Sequence, residues 1–248
     1  KVAEKQAAYP SQVSYFHGCY VNYNNPQLGK DLIKVMNAFS IGVQLLEKEK
    51  CCGVALISNG LIKQAQKQAR TNINSIRKSV LEKKIPVIAT SSTCTFTIRD
   101  EYPHLLDIDN ADVREDVELA TRYIYRLLSQ KKTKLNFKTG QKIKVAYHTP
   151  CHMEKLGWAY YSIELLKLIP NIELTILDSQ CCGIAGTYGF KKENYKTSQD
   201  IGEPLFKQIE ALDIDCVVTD CETCKWQIEM STSKRCEHPI SILSNALE

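Results

Sequence analysis

The sequence contains no long apolar run. Its uninterrupted hydrophobic stretches are only a few residues, such as Val54 to Ile57, and a helix crossing a bilayer needs about 20. No membrane-spanning helix is therefore expected. Nor does one sign of charge dominate: 32 Lys and Arg face 28 Asp and Glu, a net charge of +4 with the signs interspersed. That balance carries no nucleic-acid footprint. A signal-peptide core is missing too. The start, Lys1-Val2-Ala3-Glu4-Lys5, is charged and does not begin with Met, so it is expected to be interior to a longer protein. With 248 residues, 44% hydrophobic and 24% charged, the chain has the make-up of a globular protein of one large or two fused domains. One basic stretch runs through Lys131, Lys132, Lys134, Lys138, Lys142 and Lys144. It reads as a solvated linker, with contact to an anionic membrane surface or a partner as the alternative.

What the sequence does have is cysteine, 11 in all. An odd count without a secretory signal argues against a disulfide framework and for a reducing compartment. Two pairs, Cys51-Cys52 and Cys181-Cys182, are adjacent. Neighbouring Cα atoms lie about 3.8 Å apart, short of the usual disulfide range, so these thiols serve something other than crosslinking.

The cysteines fall in two copies of one pattern. Tyr15-Phe16-His17-Gly18-Cys19 has a counterpart in Tyr147-His148-Thr149-Pro150-Cys151, and Cys51-Cys52-Gly53-Val54-Ala55 in Cys181-Cys182-Gly183-Ile184-Ala185. Val87 to Cys94 answers Val217 to Cys224. From Cys52 to Cys94 is 42 positions, and from Cys182 to Cys224 is again 42. Such a preserved interval marks a duplication. The first repeat covers residues 1–130, the basic linker 131–142 and the second repeat 143–248.

Periodicity predicts the same elements in each copy. Strands are expected at Val13 to Phe16, Gly42 to Leu46 and Pro86 to Thr90, then at Ile143 to Tyr147, Ile172 to Leu177 and Cys216 to Thr219. Helices are expected through Leu28 to Met36, Leu61 to Glu82, Lys155 to Leu168 and Tyr195 to Ala211. Asn110 and Asp112 are candidate caps for a further helix over Val113 to Leu128. Alternating strands and helices imply an α/β fold made of two homologous repeats. Each is a small parallel sheet flanked by helices, with its cysteines at the carboxyl ends of the strands. Ligands of open parallel sheets bind at that edge. Cys19, Cys51, Cys52 and Cys94 are thus expected to meet in the first repeat. In the second, Cys151, Cys181, Cys182, Cys221 and Cys224 are expected to do so.

Thiolates are soft ligands suited to iron–sulfur clusters, Zn and Cu(I). Five exceed what one tetrahedral ion takes, and an adjacent pair can address different irons of a cluster, which favours iron–sulfur over Zn in the second repeat. In the first repeat Ser91 stands where the second has Cys221, leaving four thiolates for an iron–sulfur cluster or Zn. Gly53 and Gly183 fit a tight turn beside the site. His17, His148 and His152 lie close in sequence to these cysteines, as groups that tune the site or as satisfied structural residues. Cys216 and Cys236 match no motif position and read as buried thiols.

The pattern Cys-x31-Cys-Cys-Gly…Ser-x-x-Cys followed by Cys-x29-Cys-Cys-Gly-x37-Cys-x-x-Cys resembles the duplicated CCG cysteine-rich domain. That domain is found in heterodisulfide reductase and in iron–sulfur proteins of glycolate and lactate oxidation. Phe16-His17-Gly18-Cys19-Tyr20-Val21-Asn22-Tyr23-Asn24, Cys181-Cys182-Gly183-Ile184-Ala185-Gly186-Thr187-Tyr188-Gly189-Phe190 and Thr219-Asp220-Cys221-Glu222-Thr223-Cys224-Lys225-Trp226 are similar to the C-subunit family of anaerobic glycerol-3-phosphate dehydrogenases. The resemblance implies an electron-transfer subunit with no substrate-oxidising site of its own. It implies a noncubane [4Fe-4S] cluster on the five second-repeat cysteines, and a flavin-containing dehydrogenase subunit and a membrane-associated subunit as partners. Menaquinone is the implied acceptor, at the cytoplasmic face of the inner membrane, where the chain would be peripheral. Full-length members carry two ferredoxin-like cysteine runs that are not in this sequence. A cluster-based disulfide reductase and a Zn-stabilised membrane-docking module are the alternatives.

Overall fold

The computed structural model describes residues 2–130 and 135–248; Lys131, Lys132 and Lys134 of the basic stretch lie outside the described residues. The chain divides into two units, Lys1–Leu135 and Asn136–Glu248. In the first, the strands are β1 (Ser11–Phe16), β2 (Ile41–Leu45), β3 (Val87–Ala89) and β4 (Val117–Leu119), in the sheet order β2-β1-β3-β4. In the second, β5 (Ile143–Tyr147), β6 (Ile172–Ile176), β7 (Cys216–Val218) and β8 (Cys236–Glu237) repeat that order as β6-β5-β7-β8. Every pairing is parallel. The α/β class, the duplication and the helix-flanked parallel sheets agree with expectation.

Parallel strands cannot be joined by a tight turn, so each crossover is a helix. In the first unit the helix Pro26–Ala38 makes one of them. Asn25 caps it by accepting the Leu28 N–H, and Leu28, Leu32, Val35 and Met36 bury one face. Proline in the first helical turn is tolerated because its missing N–H has no partner there anyway. The helix Ile62–Arg77 makes the next crossover and buries Ala65, Ala69, Ile73 and Ile76 at helical spacing. Each of those isoleucines contributes on the order of 1.5–3 kcal/mol through removal from water. The helix then widens into a π-helical turn over Lys78–Glu82, inside the span expected from the sequence. Central strand β1 is buried from Val13 to Phe16, as a strand covered on both faces must be.

Three expectations on local structure need correction. The helix expected over Val113 to Leu128 begins only at Ala120, and Val117–Leu119 is β4. Asn110 does not cap a long helix: its side chain donates to the carbonyls of Ile98 and Arg99 at 2.6 and 3.1 Å. The helix expected over Lys155 to Leu168 is two, Cys151–Leu156 and Ala159–Lys167, broken where Gly157 takes a left-handed φ of 69°. Each sheet also has a fourth strand, β4 and β8, beyond those expected. These strands are three and two residues long and lack the apolar run that marks the equally short β3 and β7.

Tertiary contacts hold β4 instead. Arg99 is buried, and its guanidinium donates to the Val117 carbonyl at 3.0 Å, to the Arg114 carbonyl, and to Glu115 at 3.0 Å. Lysine has a single ammonium and cannot reproduce that fork. Arg99→Met is therefore expected to destabilise the first unit by roughly 2–3 kcal/mol, with Arg99→Lys recovering only part. Urea unfolding followed by circular dichroism checks this, and an unchanged midpoint in Arg99→Met would contradict it.

Candidate metal–thiolate sites

Both cysteine sets stand at the carboxyl edge of their sheets. In the first unit β1 ends at Phe16 and Cys19 lies in the short helix Gly18–Tyr23 that follows. Cys51 and Cys52 lie on the loop after β2, and Cys94 in the helix Ser92–Phe96 after β3. The sulfurs of Cys19 and Cys51 are 3.8 Å apart. Cys51 contacts Cys52, and Cys52 contacts Cys94, so the four thiols form one chain. Their loop is pinned from beneath. Asn72 donates to the Cys51 carbonyl at 3.2 Å and Tyr102 to the Cys52 carbonyl at 2.9 Å. Asn72 also donates to the Tyr102 oxygen at 3.0 Å. Glu49 ties the other side, accepting the backbone N–H groups of Gly18 and His17 at 2.8 and 3.3 Å. Burial pushes the Glu49 carboxyl up to about 7 despite those donors.

In the second unit Cys151 opens the helix Cys151–Leu156 after β5, Cys181 and Cys182 follow β6, and Cys221 and Cys224 follow β7. The Cys182 and Cys224 sulfurs are 3.3 Å apart. Cys181 contacts Cys182, Cys221 contacts Cys224, and Cys151 is close enough to feel the charges of Cys221 and Cys182. Cys182, Cys221 and Cys224 are buried, whereas Cys151 and Cys181 are exposed. The set is therefore sealed behind and open in front. Here Ser198 fixes the turn, donating to the Gly183 carbonyl at 2.9 Å and accepting from Gln227 at 2.9 Å.

Thiol contacts split the proton affinities within each adjacent pair. Cys51 is held well below the ordinary thiol range by hydrogen bonds from Cys19 and Cys52, while Cys52 is pushed up. Cys182 is held low by Cys181 and Cys224, while Cys181 is pushed up by Cys182. In each set the thiol contacts thus favour ionisation at one member of the adjacent pair, and the thiolate is the form that ligates metal. Cys216 and Cys236 lie buried in β7 and β8, apart from these contacts, with burial pushing both thiols up.

The serine substitution has a structural counterpart. Ser91 Oγ accepts the Cys94 N–H at 3.2 Å, and Cys221 Sγ accepts the Cys224 N–H at 3.4 Å. The two side chains thus cap equivalent helices, a task serine performs well. The histidines, grouped together by sequence, separate in the structure. His17 Nδ1 lies 2.9 Å from the Gly18 carbonyl and 3.4 Å from Glu49. His152 is pushed down to about 4 by burial. His148 is 1% exposed, and neither ring nitrogen has a hydrogen-bond partner among the described residues. An unpaired buried polar group costs roughly 1–3 kcal/mol.

Together with Cys151, Cys181, Cys182 and Cys224, His148 lines a cleft of about 60 Å³. A larger hollow of about 670 Å³ lies at the amino ends of the strands, lined by Lys138, Ile143, Ile172, Asp215 and Arg235; no cysteine reaches it. Among the described residues, no group of three or more His, Cys, Asp and Glu side chains is arranged to hold a single metal ion. Five soft thiols gathered at one edge in the second unit, one more than a tetrahedral ion takes, fit an iron–sulfur cluster.

A family model described as a cysteine-rich domain, CCG, matches residues 13–99 and again 145–229. The chain is 67% identical over 246 residues to the C subunit of anaerobic glycerol-3-phosphate dehydrogenase from Escherichia coli K12, covering 99% of this chain and 62% of that protein. It is 28% identical to an uncharacterized iron–sulfur protein of Methanocaldococcus jannaschii, over 93% of this chain and 45% of that one. To the B subunit of fumarate reductase (CoM/CoB) from Methanothermobacter marburgensis it is 26% identical, over 90% of this chain and 43% of that one. The chain thus spans less than two thirds of the length of each of these relatives.

The two glycines of the paired-cysteine turns make a test. Gly53 and Gly183 both have left-handed φ, 95° and 85°. A Cβ at Gly53 would meet its nearest neighbour at 3.7 Å, whereas one at Gly183 would lie 1.9 Å from the Ser198 carbonyl oxygen. Gly53→Ala is expected to cost only the backbone strain, roughly 1–2 kcal/mol. Gly183→Ala must displace the helix backbone as well and is expected to cost clearly more. Thermal unfolding of the two variants side by side checks the order, and equal losses would contradict it.

Proposed function

This chain belongs to the CCG cysteine-rich domain family, and from that premise we propose that it is the iron–sulfur electron-transfer part of an anaerobic glycerol-3-phosphate dehydrogenase complex. In this reading Cys151, Cys181, Cys182, Cys221 and Cys224 hold a noncubane [4Fe-4S] cluster. The observation that carries it is the meeting of these five thiols, separated by up to 73 positions (Cys151 to Cys224), at one sheet edge. A cluster of this kind supplies one-electron transfer, at a potential set by its ligands, hydrogen bonds and exposure. The chain's own residues bind and shield it. Cys182, Cys221 and Cys224 hold the buried side, and Cys151 and Cys181 the mouth through which a donor or acceptor approaches. In the first unit Cys19, Cys51, Cys52 and Cys94 form a second site, for another cluster or for Zn. Ser91 serves there as a helix cap rather than as a fifth thiolate.

The partners proposed are a flavin-containing dehydrogenase subunit as electron source, a membrane-associated subunit, and menaquinone as acceptor at the cytoplasmic face of the inner membrane. The 67% identity to the C subunit of such a dehydrogenase supports this assignment. Among the described residues no helix is long and apolar enough to cross a membrane. Cys151 and Cys181 are exposed at the mouth of the second site, which favours a disulfide reductase as the second reading. That chemistry in the resembling family uses two complete cysteine sets, and Ser91 leaves only one here.

Cys182→Ser is expected to abolish the second cluster's iron and sulfide and to stop electron flow from reduced viologen to a quinone analogue, while the far-ultraviolet dichroism of the α/β fold persists. Full quinone reduction by this variant would overturn the assignment. Disulfide reduction by the unaltered protein, without quinone reduction, would favour the second reading.

A further inference from the structure

His148 is the one histidine among the described residues with both ring nitrogens buried and unpartnered. Its place in the duplicated fold explains why that matters. In the first unit the last residues of β1 and β3, Phe16 and Ala89, are paired in register and belong to the apolar core that also holds Cys52 and Cys94. In the second unit β5 and β7 pair as far as Tyr147 and Val218. The next residues are His148 and Thr219, and the His148 N–H donates to the Val218 carbonyl at 2.9 Å. Side chains alternate along a strand, so His148 shares a face with Ala146, and Thr219 with Val217. Ala146 and Val217 pack in the core cluster that contains Cys182, Cys221 and Cys224.

Where the first unit has an apolar pair, the second therefore has an imidazole and a hydroxyl, each about 1% exposed. Among the described residues the Thr219 hydroxyl, like both nitrogens of His148, has no hydrogen-bond partner. Buried polar groups in folded proteins are almost always hydrogen-bonded. Two orphans side by side, in the unit with the complete cysteine set, mark a surface built for something that is bound there. His148 also lines the cleft that Cys151, Cys181, Cys182 and Cys224 enclose.

We propose that His148 donates the hydrogen bond that the second unit makes to its bound cluster, aimed at a cluster sulfur, with Thr219 filling the polar niche beside it. This rests on the iron–sulfur reading of the five cysteines. It does not depend on titration, since a neutral imidazole already carries one N–H. A hydrogen bond to sulfur stabilises the added charge of the reduced state and raises the potential. The first unit, with Phe16 in the same place, has no such donor.

The test uses the protein with its clusters, purified without oxygen and labelled with 15N-histidine. His148→Phe copies the first unit and is expected to keep its iron, shift the second-unit potential downward in an EPR-monitored titration, and lose a 15N hyperfine coupling to the reduced cluster. His148→Gln keeps a donor; it is expected to hold the potential near that of the unaltered protein while losing the same coupling, and it decides the matter should His148→Phe fail to fold. A coupling and a potential unchanged in these variants would overturn the proposal and leave His148 satisfied by ordered water. Unaltered protein without iron and sulfide would instead overturn the reading on which the proposal rests.

Discussion

Parallel pairing of β1 with β3, and of β5 with β7, is the constraint on which both sites depend. Because the strands run the same way, every strand ends at one edge, and the residue that follows each end is delivered there whatever its position in sequence. Cys19 and Cys94 reach a common place through the register Phe16↔Ala89. Cys151 and Cys221 do so through Tyr147↔Val218. The crossover helices bury the sheet faces and fix the spacing. The repeated 42-residue interval between the second cysteine of each pair and the last cysteine is the length of one such crossover, loop to loop.

On that shared frame the units diverge at a few positions close to the thiols. Ser91 replaces Cys221 but keeps its capping hydrogen bond, so the fold is kept while a soft ligand is lost. Phe16 and Ala89 stand against His148 and Thr219. A fourth difference lies deeper: Tyr15 bonds Thr90 at 2.9 Å, whereas Tyr147 donates to the Asp220 carboxylate at 2.6 Å, with Ser162 donating to the same group at 3.0 Å. At three of these positions the second unit is the more polar, with His148, Thr219 and Asp220 where the first has Phe16, Ala89 and Thr90. Such groups are costly in a low-dielectric core unless they are paired. His148, Thr219 and Asp220 beside the complete cysteine set give the second site a different environment from the first.

Much of this is legible in the sequence for a simple reason. Cysteine, glycine and strand periodicity are local signals, and the duplication lets each half check the other. The fold class and six of the eight strands follow from alternation and apolar runs. The short strands β4 and β8 lack an apolar run to read; Val117–Leu119 is a strand because β3 pairs with it and Arg99 holds it, both non-local facts. The break at Gly157 hides inside a continuous helical pattern because one glycine is compatible with either outcome. His148 is visible in the sequence as a residue near a cysteine, but its isolation is not. Aligning it with Phe16 in the other repeat is the signal that singles it out.

We propose that these thiols hold iron and sulfide rather than a single structural ion. The most direct measurement is the iron, zinc and acid-labile sulfide content per chain in protein purified without oxygen. Iron and sulfide are expected in equal amounts, about four of each for one cluster and about eight if the first unit is also filled with one. Zinc without sulfide in protein never exposed to air would contradict it and make the chain a structural module.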